Sequence, residues 1–174
     1  MDISILSKNS IKIHSKHANF IVDPESLVTK VSCDAVILLN NNNIDLGRVV
    51  DHRIIIDGPG EYEVNGVKVL GVKGDRGFVY GIAADGFSVI LGKSEEISKI
   101  KEEFNTECQI AIIDADDEFS SSVVTKLEPK IVILYGDNKE SAAKLLGKEN
   151  LPLIKKFTVV KDKLPEEMEV VVLG

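Results

Sequence analysis

The residues able to do chemistry are few and scattered. The chain has three histidines, His14, His17 and His52, and two cysteines, Cys33 and Cys108. His14 and His17 have an HxxH spacing that aligns two rings on a helix, but IKIH reads as a strand, where that spacing sends them to opposite faces. With SKHAN reading as a turn, both are expected to be solvated, and His52 in VVDHRI reads as a surface loop residue. The cysteines sit beside the apolar runs AVILL and QIAII, where a free thiol acts as a small hydrophobe. No CxxC supports a zinc ribbon or a redox pair. The acidic run DADDEF at 114–119 lacks the central glycine and terminal glutamate of a calcium loop, so helix capping explains it better. GPG at 58–60 runs into Glu61 and reads as a turn, not an anion cradle. Ser94 follows Gly92-Lys93 without a preceding glycine-rich phosphate loop, and Ser120 to Ser122 have no histidine near them in sequence. Two features remain: four consecutive asparagines at 40–43, closing the apolar run ILL, and Lys93. Asparagine accepts left-handed backbone angles, so the tract can end a strand with no further purpose.

The elements that must position these residues are mostly strands in the first two thirds. Alternation at Ile3 and Ile5, and at Ile11 and Ile13, is followed by ANFIVDP, DAVILL, RIIIDG, EYEV, VKVLGV, GFVYGIA and FSVILG. Asn65-Gly66 and Asp85-Gly86 each join two such runs and predict type I′ hairpins, because both positions accept positive φ. Helices come later. Ser94 is expected to cap a helix with Glu95 and Glu96 in its first turn and Ile97, Ile100 and Phe104 on one face. A second helix follows the acidic run, burying Phe119, Val123, Val124 and Leu127 and ending at Pro129. A third spans about 137–146, with Asp137 and Glu140 at capping-box spacing and Gly147 at its C-terminal end. CQIAII and PKIVILY lie between helices. LPLIKK reads as a loop before a final strand pair, FTVVK and MEVVVL. Hairpins followed by β-α-β-α units predict a layered α/β or α+β domain.

At 174 residues the chain suits one domain, 1–174. Its 44% hydrophobic and 28% charged residues place it among soluble globular proteins. A net charge of −7 repels a phosphate backbone, and no cluster of basic and aromatic residues counters it, so nucleic acid is not expected. No apolar run approaches the roughly 20 residues that cross a bilayer. The start, MDISILSKNS, lacks signal-peptide character, so a cytoplasmic location is expected.

IDGPGEYEVNGVKVLGV, residues 56–72, resembles the central hairpin of the metallo-β-lactamase-fold proteins, in the branch of lactonase-like proteins and predicted zinc-dependent hydrolases. NFIVDP, CDAVILL, ADGFSVILG, LEPKIVILYG and VKDKLPEEMEVVVL resemble further landmarks in the same order. The resemblance implies a compact four-layer αββα sandwich. It also implies a histidine-rich metal loop, H-x-H-x-D-H, where this chain has its asparagines. In one alignment Asn41, Asn43, Asp45 and Leu46 take those places; in the other, Asn40, Asn42, Ile44 and Asp45 do. The turn for a third histidine reads GVKGDRG and includes Asp75. The implied bridging Gly-Asp is Gly92-Lys93, and the last histidine falls at about Gly136. Amides are weak zinc ligands, and an ammonium repels a dication.

These positions, Asn40 to Asn43, Asp45, Asp75, Lys93 and Gly136, are therefore expected to form a vestigial centre. Lys93 is expected to fill part of the metal's space and pair with Asp45 or Asp75. The expected function is a non-catalytic family member that serves as a scaffold or binds a small anionic or polar metabolite, without zinc or another cofactor. A homo-oligomer or a protein partner is expected with it. The alternative is a metal-dependent hydrolase with an unfamiliar ligand set such as Asp45, Asp57 and Asp75, which would favour Mg²⁺ or Ca²⁺.

Overall fold

Antiparallel hairpins open the chain. In the computed structural model, which describes residues 1–40, 42–100, 104, 107–115 and 119–174, β1 (Asp2–Ser7), β2 (Ser10–His14) and β3 (Asn19–Val22) form a meander. β4 (Val31–Ser32), β5 (Ala35–Ile37), β6 (Val49–Val50) and β7 (Ile54–Ile56) follow. β5 and β7 continue the first sheet in parallel with β3, while β4 and β6 pair as a small separate ribbon. The second sheet begins with β8 (Gly60–Val64), β9 (Val67–Lys73), β10 (Phe78–Ala84) and β11 (Phe87–Lys93), all antiparallel. Asn65 and Gly66 have φ of 49° and 84°, and Asp85 and Gly86 have 54° and 81°, as the two-residue hairpins require.

From β11 onward the sheet turns parallel, through β12 (Ile110–Asp114), β13 (Ile131–Tyr135) and β16 (Glu169–Leu173). Helices α1 (Ser94–Lys99), α2 (Ser122–Leu127) and α3 (Lys139–Leu145) lie on its outer face. Such strands are buried on both sides, which is why they read as unbroken apolar runs. Ile110, Ile112, Ile131 and Ile133 face the first sheet, whereas Ala111, Ile113, Val132 and Leu134 pack against the helices. Each helix is six or seven residues long and owes its stability to this packing. Over the outer face of the first sheet, the ribbon and nearby loops cover Ile21, Val36 and Leu38, and the described residues there include no α-helix. The result is the expected α/β sandwich in a compact form.

Several local expectations change. The N-cap of α1 falls on Lys93, because β11 runs to that residue and Ser94 is already helical. Asp137 does not cap α3; its carboxylate pairs with Lys8 of the β1–β2 turn, across the sandwich. LPLIKK is not a plain loop. It holds β14 (Leu153–Ile154), at the edge of the eight-stranded sheet, and the start of β15 (Lys156–Thr158), at the edge of the six-stranded one. FTVVK and MEVVVL consequently do not pair with each other: β15 joins β1, and β16 joins β13.

Candidate functional site

Parallel strands carry their ends to one side, and ligands collect outside the carboxyl ends of such strands. Here both sheets contribute. The register sets Lys93, the last residue of β11, beside Asp114, the last of β12, and Asp114 beside Tyr135, the last of β13. In the facing sheet, Asp23 follows β3 and the asparagine segment follows β5. Between them lies a cavity of about 190 Å³. Asp23, Glu25, Asn40, Asn42, Asn43 and Asn9 line it from the first sheet, and Lys93, Asp114, Ala115, Asp137 and Asn138 from the second.

The first-sheet wall is held by specific bonds. Asp23 has φ of 43°, a turn that lets its own N–H donate to Ile37 O at 3.0 Å while its Oδ1 accepts the Leu39 N–H at 2.9 Å. Tyr80 reaches from the second sheet, its hydroxyl shared between Leu38 O at 3.0 Å and Ile56 O at 3.2 Å. The Phe78 N–H donates to Leu39 O at 2.9 Å, an approach open only because Gly77 has no side chain to strike that oxygen. Asn43 takes φ of 59°, and the Asn42 N–H donates to Asn40 Oδ1 at 2.9 Å, as the tract's turn chemistry predicts.

Charge in the cavity is uneven. Burial pushes the Asp23 carboxyl up to about 8; the Leu39 N–H opposes this, Asp114 and Glu25 reinforce it, and Lys93 opposes it. Asp23 is thus largely neutral at pH 7. Burial also pulls Glu25 upward, but hydrogen bonds from Ser7 at 2.6 Å and Asn9 at 2.9 Å outweigh it and leave this carboxyl below its usual range. Asp114, 5% exposed, lies 3.6 Å from the Lys93 ammonium. The Tyr135 hydroxyl is fully buried and has no hydrogen-bond partner among the described residues, and burial with the nearby Asp114 and Asp23 raises its pKa well above that of a free tyrosine.

The structure brings together Asn40, Asn42, Asn43 and Lys93 as cavity residues. Asn41 and, in the acidic run, Asp116, Asp117 and Glu118 lie outside the described residues. Gly136, with φ of 92°, abuts Asp114 Oδ1. Asp45 and Asp75 are not in the lining. Asp45 accepts from the Gly47 N–H at 3.0 Å and pairs with Arg48, and exposed Asp75 pairs with Lys99 at 3.1 Å. Lys93 therefore pairs with Asp114, contrary to expectation, because the partner comes from the adjacent parallel strand and not from either loop. Nor does Asp114 cap a helix; it ends β12. Asp23, Glu25 and Asp114 were not singled out as site residues. A carboxylate closing an apolar strand, as in NFIVD and IAIID, was the available signal. The three histidines lie away from the cavity lining, and both cysteines are buried and free. Burial raises their thiols to about 11 and about 12.

No family model matches the sequence, and no curated protein matches it. Among solved structures, the chain is similar to a metallo-β-lactamase superfamily protein from Thermotoga maritima assigned as a Zn-dependent hydrolase. The identity is 20%, with 99% of this chain and 98% of that one covered and a TM-score of 0.74. This is the metallo-β-lactamase fold. The fold protein YhfI from Bacillus subtilis shares it at 11% identity, 98% and 95% coverage and a TM-score of 0.55. So does CmlA, a diiron β-hydroxylase from Streptomyces venezuelae, at 10% identity and a TM-score of 0.59, where 91% of this chain spans 53% of that one.

Zinc, which the metallo-β-lactamase fold suggests, takes imidazole, thiolate or carboxylate donors. Among the described residues no three His, Cys, Asp or Glu side chains converge as a metal would need, and the cavity offers amides and carboxyls with an ammonium among them. Gly136 leaves no room for a ligating side chain while Asp114 keeps its position. The described residues do not fit zinc.

Proposed function

We propose that this chain is a non-catalytic metallo-β-lactamase-fold protein that binds a small polar ligand at the strand ends and works without zinc. The observation that carries the reading is the cavity itself. It persists between the two sheets, yet its walls offer the amides of Asn9, Asn40, Asn42, Asn43 and Asn138, and among the described residues no three carboxyl, imidazole or thiolate groups converge as a hydrolytic metal needs. Metal-assisted hydrolysis depends on bringing the pKa of bound water down from 15.7 to about 7, and amides beside an ammonium do not hold the ion that does this. Amides both donate and accept, so they suit a ligand carrying hydroxyl, amide or amine groups. Glu25, Asp114 and Asp137 share the lining with Lys93, which favours a neutral or cationic metabolite over a polyanion.

Elemental analysis of untagged protein, expressed with zinc, iron, manganese and magnesium supplied, is expected to find clearly substoichiometric metal. A thermal-shift screen of polar metabolites should then yield ligands that raise the Tm of the wild type and do so less for Asn40→Ala. One or two tightly held ions per chain would overturn the reading and favour a metal-dependent hydrolase with an unfamiliar ligand set.

A further inference from the structure

Without three converging zinc donors among the described residues, the cavity poses a physical problem. Asp114 carries a carboxylate whose side chain is 8% exposed, next to Asp23 and across the cavity from Glu25. Carboxylates taken out of water need a compensating positive charge, and a buried one that loses its partner is costly. In a metal centre the ion supplies that charge. Here a side chain stands in the same relation to the acidic wall: Lys93 ends the neighbouring parallel strand, its backbone in register with Asp114 and its ammonium 3.6 Å from Oδ2.

We infer that Lys93 is the fixed cation of this centre, an ammonium built into the fold that neutralises the Asp114 wall of the cavity in place of a metal. Two further observations support this. The other oxygen of Asp114 lies where a Cβ on residue 136 would project, so the carboxylate's position and the glycine at 136 depend on each other. With φ of 92°, Gly136 also has a backbone that disfavours any L side chain. The site is therefore packed around the Asp114 carboxylate that Lys93 faces, as a rebuilt centre would be, and is not simply stripped of ligands. In addition, Asp23 stays largely neutral beside the pair, so that the Lys93 ammonium is not asked to balance two adjacent carboxylates. The inference does not depend on whether the pocket takes a metabolite.

Chemical rescue tests it. Cutting Lys93 back to alanine opens a space of propylamine shape beside Asp114 and removes the ammonium that faces that carboxylate. Lys93→Ala is expected to lower the Tm by roughly 4–10 °C. Ethylammonium at tens of millimolar should restore a large part of that loss, whereas sodium chloride at equal ionic strength should not. In Lys93→Ala/Asp114→Asn the rescue should vanish, because the charge that draws the ammonium is gone. Manganese and zinc chlorides should leave the wild-type Tm unmoved.

Equal melting of Lys93→Ala and the wild type, or equal rescue by sodium chloride, would overturn the inference. Should Lys93→Ala fail to fold, ¹⁵N spectra of the lysine ammonium groups in the intact protein decide it. One slowly exchanging ammonium, lost in Asp114→Asn, is expected, and its absence from the wild type would count equally against the proposal. Stoichiometric metal in the wild type would refute the zinc-free reading of the previous subsection, whereas a neutral Lys93→Ala in metal-free protein would refute only the present one.

Discussion

Asp23→Asn should change the pH dependence of stability more than its size suggests. Asp23 is 7% exposed, and burial lifts its carboxyl from the 3.8 of a free side chain to about 8. Between about pH 4 and pH 8 the folded protein therefore holds a proton that the unfolded chain has lost. Stability must fall as pH rises through that window, by up to about 1.4 kcal/mol per pH unit from this group alone. The contribution is complete below the unfolded pKa and gone above the folded one. Asparagine keeps the Leu39 N–H acceptor, tolerates the φ of 43° and never ionises. Between about pH 5 and pH 8 the wild type should lose about 3–4 kcal/mol relative to the variant. Glu25 does not confuse the result: its carboxyl lies below its usual range, so its stabilisation is present above the unfolded pKa and is lost only as pH falls into the acid range. Urea unfolding of both proteins across this range supplies the curves, and ¹³C shifts of the Asp23 carboxyl report its ionisation directly. Parallel pH profiles for wild type and variant would refute the reasoning, since they would mean that Asp23 titrates like a solvated carboxyl.

Two buried tyrosines should respond in opposite ways to loss of the hydroxyl. Tyr80→Phe orphans none of its own atoms but removes the donor shared by Leu38 O and Ile56 O, at a cost of about 1–2 kcal/mol in urea unfolding. Tyr135→Phe removes a hydroxyl that has no partner among the described residues, and should be neutral or stabilising by up to about 1 kcal/mol; a loss as large as that of Tyr80→Phe would show that the hydroxyl is satisfied in solution. Gly136→Ala forces a Cβ against Asp114 Oδ1 at a φ of 92° and should cost about 2–4 kcal/mol. In an Asp114→Ala background the same change should cost less, about 1–2 kcal/mol from the backbone strain and the close approach to the Ala115 backbone, and strict additivity in the four-way comparison would contradict the proposed coupling.

Much of the fold was legible because local chemistry and tertiary packing agree. Asn65-Gly66 and Asp85-Gly86 specify their hairpins through φ alone, and AIID and IVILY announce strands buried on both faces. Short edge strands were not legible. Leu153–Ile154 and Lys156–Thr158 carry little periodicity, and their state depends on which sheet edge lies within reach. The site divides in the same way. Asn40, Asn42, Asn43 and Lys93 were legible as a group through the resemblance to a metal loop and its companion turn. Asp23 and Asp114 were not, because nothing along the chain relates residues so far apart.

By itself, then, the sequence determined which donors exist: three histidines, two cysteines set in apolar runs, and amides in the segment that resembles a histidine loop. That is a matter of composition and local order, and no folding can add a ligand the chain does not encode. Which charges meet was decided only by the tertiary structure. Lys93 finds Asp114 because β11 and β12 run parallel with those residues in register, and Asp45 and Asp75 are drawn instead to Arg48 and Lys99. Ion pairing depends on distance and burial in space, and both are set by strand order and register between segments that the sequence lists far apart.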